Sequence, residues 1–186
     1  MATHLWQLRQ AARHFWLGGL IAYPTEAVYG LGCNPLDEDA VQRLLELKKR
    51  PIDKGLILIA SDFDQLRPFI IEPAQEIMAP VFSSWPGPTT WLLPAAPRVP
   101  KWLTGKHHSI AVRVTAHPLV AELCRACESP LISTSANISG RQPAKNSLTL
   151  YKQFDGQIDF ILNGKVGPLK QPTSIQDAIS GALIRK

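Results

Sequence analysis

Short apolar runs that alternate with helical patterns limit this chain to few folds. Leu20-Ile21-Ala22-Tyr23, Leu56 to Ala60 and Pro130-Leu131-Ile132 are continuous apolar segments, as expected of strands covered on both faces. Further strand signals lie at Thr89 to Leu93, Ser109 to Val114, Asp159 to Leu162 and Leu183 to Arg185. Between them, Leu5, Leu8, Ala12 and Phe15 trace a helix that Gly18-Gly19 stops, and Val41, Leu44, Leu45 and Lys48 trace a second. Helices are also expected around Phe63 to Phe69, Ala74 to Phe82 and Leu119 to Cys127. Strand and helix in turn predict an α/β fold. Some connections are too short for a parallel crossover, so the sheet should be mixed.

The 186 residues are enough for one sizeable core, and the expectation is a single domain spanning 1-186. No apolar run approaches the roughly 18 residues of a membrane span. The N-terminus runs straight into an amphipathic pattern without a secretory apolar segment, which makes the cytoplasm the expected location. Three cysteines fit reduced thiols there. A formal charge of +5 favours anionic partners without choosing among nucleotides, RNA and acidic lipid. No block of five or six like charges occurs, which argues against a disordered RNA-binding arm.

Neither a Walker loop nor a dinucleotide glycine fingerprint is present. The adjacent His107 and His108 would point to opposite sides of a strand, and Cys124 and Cys127 lack a second pair, so no metal site is expected. Chemistry concentrates elsewhere. Lys48, Arg50 and Lys54 crowd the gap between a helix and the strand at Leu56. Lysine and arginine followed by proline also make an ordinary helix stop. At the C-terminal end of a helix the dipole repels anions, so a phosphate there would depend on side-chain charge alone. Ser133-Thr134-Ser135-Ala136-Asn137 follows a strand, where open α/β sheets bind ligands, although these residues also suit a turn. Arg113 interrupts an apolar strand and must face solvent or meet an anion, and alternation puts Ser109 on the same face.

Together, Tyr23-Pro24-Thr25-Glu26, Tyr29-Gly30-Leu31, Lys48-x-Arg50 with Lys54-Gly55-Leu56, Trp85-Pro86-Gly87-Pro88-Thr89, Ala111-Val112-Arg113, Ser133 to Asn137 and Ser139-Gly140-Arg141 resemble the YrdC/TsaC family of threonylcarbamoyl-AMP synthases, in its short bacterial form. The resemblance covers nearly the whole chain. It implies a YrdC-like twisted mixed β-sheet flanked by helices, with a concave basic cavity. It implies conversion of L-threonine, bicarbonate and ATP to threonylcarbamoyl-AMP and diphosphate, after which a separate complex modifies the tRNA adenosine beside the anticodon. By motif position, Lys48, Arg50, Lys54, Ser109, Ser135, Asn137 and Arg185 would bind ATP. Lys48, Arg50 and Lys54 would also be catalytic. Thr25, Arg113, Ser133 and Thr173 would hold threonine. The Pro172-Thr173-Ser174-Ile175 segment departs from the family's usual Pro-Ser-Thr-Ile.

The implied reaction fits the residue types. An N-carboxylate nucleophile is already ionised, so adenylation needs cations and alignment, with no Ser-His-Asp machinery. Mg2+ would be bound mainly through the ATP phosphates, since few carboxylates converge in these motifs. Glu26 is a candidate for orienting a water or the threonine ammonium. The alternative from another class is an RNA-binding or ribosome-assembly factor with a basic concave surface, but the tryptophans do not form a stacking platform. A carbamoyl-transfer domain of hydrogenase maturation shares the implied fold and normally belongs to a longer chain.

Overall fold

The computed structural model describes residues 2–154, 156–171 and 173–185. Six α-helices are found among them: α1 (Ala2–Trp16), α2 (Glu38–Lys48), α3 (Gln75–Ser84), α4 (Lys101–Thr104), α5 (Pro118–Ala126) and α6 (Ser147–Phe154). The strands are β1 (Ile21–Pro24), β2 (Tyr29–Gly32), β3 (Ile57–Ala60), β4 (Thr90–Pro94), β5 (Ser109–Val114), β6 (Leu131–Ser135), β7 (Phe160–Ile161), β8 (Ile175–Asp177) and β9 (Leu183–Arg185). They form one sheet in the order β7-β1-β2-β6-β3-β5-β4-β8-β9. It is mixed, as expected: β1 with β7, β3 with β5 and β4 with β8 are parallel, and the other pairs are antiparallel.

Alternation sorts the strand residues onto two faces. Leu58, Ala60, Ile110, Val112, Val114 and Ile132 join Val41, Leu44 and Leu45 of α2, Met78 and Val81 of α3, and Leu150 and Phe154 of α6 in the larger core. Ile21, Tyr23, Ile59 and Leu131 face the other way, against Leu8, Ala11 and Phe15 of α1 and Val120, Leu123 and Cys124 of α5. That second layer is short. The registers put Ile57, Arg113, Ser133 and Ser135 on the same side as Ile59, beyond the reach of this helix pair. β6 changes neighbour along its length, since Leu131–Ser133 pairs with β3 and Thr134–Ser135 with β2. Past Ser133 its β3 side is free of a strand, and a cleft opens there.

Some expectations shift. The β2 segment, which is not among the expected strands, is a fully buried strand. A Cβ on Gly32 would lie 2.0 Å from the Ile132 carbonyl oxygen and 2.9 Å from the Tyr23 hydroxyl, so glycine here permits close packing within the sheet. The helix expected at Phe63 to Phe69 is only a 3-10 turn at Arg67–Phe69, which has Pro68 inside it. Helices α4 and α6 and strand β8 have no counterpart in the sequence reading. His107 and His108 sit exposed just before β5 rather than within a strand.

Candidate functional site

The cleft encloses about 740 Å³, counting its open mouth. Its walls include Thr25, Arg50, Arg113, Ser133, Ser135, Thr173 and Arg185 from the expected site, with Ala27, Val28, Tyr29, Gly30, Leu56, Ile57, Thr134 and Pro143 beside them. Lys54 ends an exposed 3-10 turn and is not in the wall, and neither is the half-buried Ser109. Lys48 and Asn137 lie directly behind it.

Helix α2 delivers the cationic end. Its last turn closes with a Schellman arrangement, in which Lys49 N–H donates to Glu46 O at 2.9 Å and Arg50 N–H to Leu45 O at 2.9 Å. Lys49 itself takes the left-handed conformation, with φ of 50°. The reversal leaves Lys48 inside, 3% exposed, and sends Arg50 toward the cleft. The Lys48 Nζ donates to the carbonyls of Ser135 and Asn137, the latter at 2.7 Å. In return, the Lys48 carbonyl accepts from Ser139 N–H at 3.0 Å and Ser139 Oγ at 2.9 Å. The helix end and the Ser135–Ser139 loop are thus one stitched unit. The sequence pattern, which puts Lys48 on the apolar side of its helix, is right that Lys48 points inward. An ammonium carries three donors, so one N–H remains after the two carbonyls.

In the loop itself, Ser135 Oγ donates to Asn137 Oδ1 at 2.6 Å, and Asn137 Nδ2 donates to Ile138 O at 3.0 Å and Arg141 O at 2.8 Å. Arg50 Nη2 donates to Gly55 O at 2.9 Å, and its buried Nε has no partner among the described residues. Gly55 holds φ of 60° where a Cβ would meet Leu103 O at 2.8 Å, so both conformation and space require glycine beside Arg50. Arg185, on the edge strand β9, donates through Nη2 to Thr173 O at 2.8 Å. Burial lowers the Lys48 ammonium to about 8, with the Arg50 charge adding to the fall. Burial also lowers Arg50, and it lowers Arg185 together with the nearby charges of Arg113 and Arg50. These cations repel one another, and among the described residues neither Arg50 nor Arg185 has a carboxylate partner. Such a surface favours a multiply charged anion.

The other end is built differently. Arg113 on β5 is 4% exposed. Its Nη1 donates to Thr173 Oγ1 and, at 3.5 Å, to Thr90 Oγ1. Its Nη2 lies 3.3 Å from Glu26 Oε2, in an ion pair whose side chains are 5% and 8% exposed. Glu26 Oε1 accepts from Thr115 Oγ1 at 2.6 Å, and Thr115 Oγ1 accepts from His117 N–H at 3.1 Å. The buried Arg113 Nε–H has no acceptor among the described residues, and the guanidinium lines the cleft, where it can meet a planar anion such as a carboxylate. Thr25 caps the β1–β2 turn, its Oγ1 donating to Val28 O at 2.8 Å, and keeps lone pairs free. Glu26 lies beside the site, as its motif suggests, but in a different role, because its carboxylate faces Arg113 and Thr115. Thr90 and Thr115 carry no sequence signal, because their roles arise from strand neighbours distant in the chain.

A Sua5/YciO/YrdC family model, described as telomere recombination, matches residues 15–186. A threonylcarbamoyl-AMP synthase of Xanthomonas oryzae pv. oryzae is 49% identical over 98% of this chain and 99% of its own length. The P. abyssi Sua5 structure complexed with L-threonine superposes with a TM-score of 0.87 at 38% identity, over 92% of this chain and 51% of that longer one. E. coli YciO superposes with a TM-score of 0.85 at 25% identity, covering 96% of this chain and 88% of that one. With the mixed sheet, the basic cleft and these matches taken together, the chain belongs to the Sua5/YciO/YrdC family.

Proposed function

We propose that this chain is a threonylcarbamoyl-AMP synthase, an enzyme that makes threonylcarbamoyl-AMP and diphosphate from L-threonine, bicarbonate and ATP. The carrying observation is the cleft's division into an end whose arginine is paired with a carboxylate and an end whose arginines are not. Threonine brings one carboxylate and ATP brings a polyphosphate, and the two ends match that difference. Threonine sits with its carboxylate on Arg113 and its body against Thr25, Ser133 and Thr173. The triphosphate lies along Arg50 and Arg185, with Ser135 Oγ, Asn137 and the remaining N–H of Lys48 behind it. Lys54 and Ser109 take part only if the turn carrying Lys54 and the start of β5 close inward on the nucleotide.

The threonine amine adds to bicarbonate with loss of water, giving an N-carboxylate. Its oxygen attacks the α-phosphorus, the bond to the diphosphate oxygen breaks, and diphosphate leaves with the electron pair. Arg50, Arg185 and Lys48 stabilise the charge that spreads over the phosphates, and no side chain has to take a proton in the adenylation step. Among the described residues no cluster of three His, Cys, Asp or Glu side chains forms a metal cage. Glu26 is committed to Thr115 and Arg113. A Mg2+ ion here would be carried by phosphate oxygens and water and would supply charge neutralisation. Among the described residues no helix is long and apolar enough to cross a membrane. The enzyme works in the cytoplasm, where a separate complex would pass the product to tRNA. The alternative of an RNA-binding factor is not favoured, because Tyr29 is the one aromatic in the cleft wall and it is only 2% exposed.

Labelled bicarbonate should enter an AMP conjugate only when threonine and ATP are both supplied. Purified protein that yields no such conjugate would remove the proposal.

A further inference from the structure

We infer that Glu26 is a specificity-determining, positioning residue: held by Thr115, it neutralises Arg113 from behind and reserves that guanidinium for the amino-acid carboxylate against the polyphosphate of the second substrate. The inference rests on the functional reading above and adds to it the means by which one cleft sorts two anions.

Arg113 and Arg185 share a single residue, since Arg113 Nη1 donates to the Thr173 hydroxyl and Arg185 Nη2 to the Thr173 carbonyl at 2.8 Å. Two guanidinium groups meeting on one threonine, with Arg50 in the same wall, form a continuous cationic strip. On such a strip a polyphosphate would gain by sliding until it covered every cation, Arg113 included, and threonine would be displaced. The carboxylate of Glu26, 3.3 Å from Nη2, makes Arg113 unlike the others. An arginine paired with a carboxylate attracts a further multiply charged anion weakly. It keeps its directional N–H donors, however, and these suit a single planar carboxylate.

Glu26 is fixed in that position. The Thr115 hydroxyl holds Oε1 at 2.6 Å and is itself oriented by the His117 N–H. The backbone at Glu26 is strapped as well: Gly167 N–H donates to Thr25 O at 2.8 Å and Leu169 N–H to Glu26 O at 3.0 Å. A Cβ at Gly167 would come within 2.6 Å of the Glu26 carbonyl oxygen, so the strap passes too closely for any other residue. Glu26 is 7% exposed and absent from the cleft wall, which separates it from residues that would touch substrate.

The test is threonine binding by calorimetry, with and without inorganic tripolyphosphate, on the full chain and on Glu26→Gln and Thr115→Val. In the wild type, tripolyphosphate should leave threonine affinity within about twofold. In Glu26→Gln, which keeps the shape and removes the charge, tripolyphosphate should compete with threonine and weaken its binding about tenfold or more, the range of one charge-assisted contact. Thr115→Val should show a smaller shift of the same kind, and the double variant should be no worse than Glu26→Gln, because both act through one carboxylate. A purely structural Glu26 would lower the melting temperature and produce no competition, which overturns the inference. If the wild type binds threonine and Glu26→Gln binds it equally well with tripolyphosphate present, the inference falls while the functional reading stands. If the wild type binds no threonine, both fall.

Discussion

The two ends of the cleft use the same residue types under opposite electrostatic conditions. At the Arg113 end the guanidinium has a carboxylate and two threonine hydroxyls around it, so the protein alone satisfies most of its needs. At the Arg50 end the cations lean on backbone carbonyls, which orient them without cancelling their charge. A carbonyl dipole fixes direction and a carboxylate changes net charge. The first end is therefore a docking point already charge-paired before substrate arrives, and the second is a charged wall that an anion completes.

The largest effect should separate these ends through stability. Arg113→Ala leaves Glu26 as an unpaired carboxylate in a buried site and should lower unfolding free energy by about 3–5 kcal/mol, besides raising the threonine requirement. Arg50→Ala removes a half-buried group whose one side-chain bond among the described residues runs to Gly55 O, and should cost the fold only about 1 kcal/mol. Its ATP KM should rise roughly tenfold to a hundredfold, the range for losing a charge-assisted contact to phosphate. Urea denaturation paired with steady-state kinetics would check both. Equal stability losses, or an ATP effect from Arg113 as large as that from Arg50, would erase the distinction between the ends.

Lys48 tests what lies behind the wall. Its native ammonium is lowered to about 8 by burial and by Arg50, below the roughly 10.4 of an unfolded lysine. Between these values the unfolded chain binds more protons than the native one, so the stability of the nucleotide-free protein should rise as pH increases from about 8 toward 10.4. ATP binding should weaken over the first part of that range, because the deprotonated amine no longer contributes charge. Lys48→Met should abolish both slopes. A variant that retained the pH dependence of ATP affinity would place its origin elsewhere in the site.

Much of this organisation is legible from sequence because it is local. The i, i+3, i+4, i+7 series through Val41, Leu44, Leu45 and Lys48 fixes the inward direction of Lys48, and the interruption of an apolar strand marks Arg113. What the sequence hides is pairing between distant strands. Glu26 meets Arg113 and Thr115 only because the β1–β2 turn and the end of β5 approach each other in the folded sheet. The glycines of β2 mislead for a related reason. Gly30 and Gly32 give no local strand signal, whereas in the sheet the Tyr23 ring presses on both positions and the Ile132 carbonyl of β6 leaves no room for a side chain at Gly32. The 3-10 turn at Arg67–Phe69 shows the reverse case, in which apolar spacing suggests a helix that Pro68 shortens.

The smallest effect should come from Lys49, which asks whether position or total charge makes the wall. Lys49 is exposed and outside the cleft wall, although it neighbours both Lys48 and Arg50. Its left-handed conformation costs a non-glycine residue about 1–2 kcal/mol, and glycine would relieve that. Glycine also gives the unfolded chain extra freedom, which costs roughly 0.5–1 kcal/mol. The two contributions nearly cancel, so Lys49→Gly should shift unfolding free energy by about 1 kcal/mol or less, toward stability. It removes one positive charge from the neighbourhood and leaves the Schellman reversal that aims Arg50 intact. If the wall works by placement, the ATP KM should stay within about twofold, since an exposed charge is screened by solvent and salt. A loss approaching that of Arg50→Ala would mean that the general field of this helix end binds the nucleotide and that the bonds aiming Lys48 and Arg50 matter little.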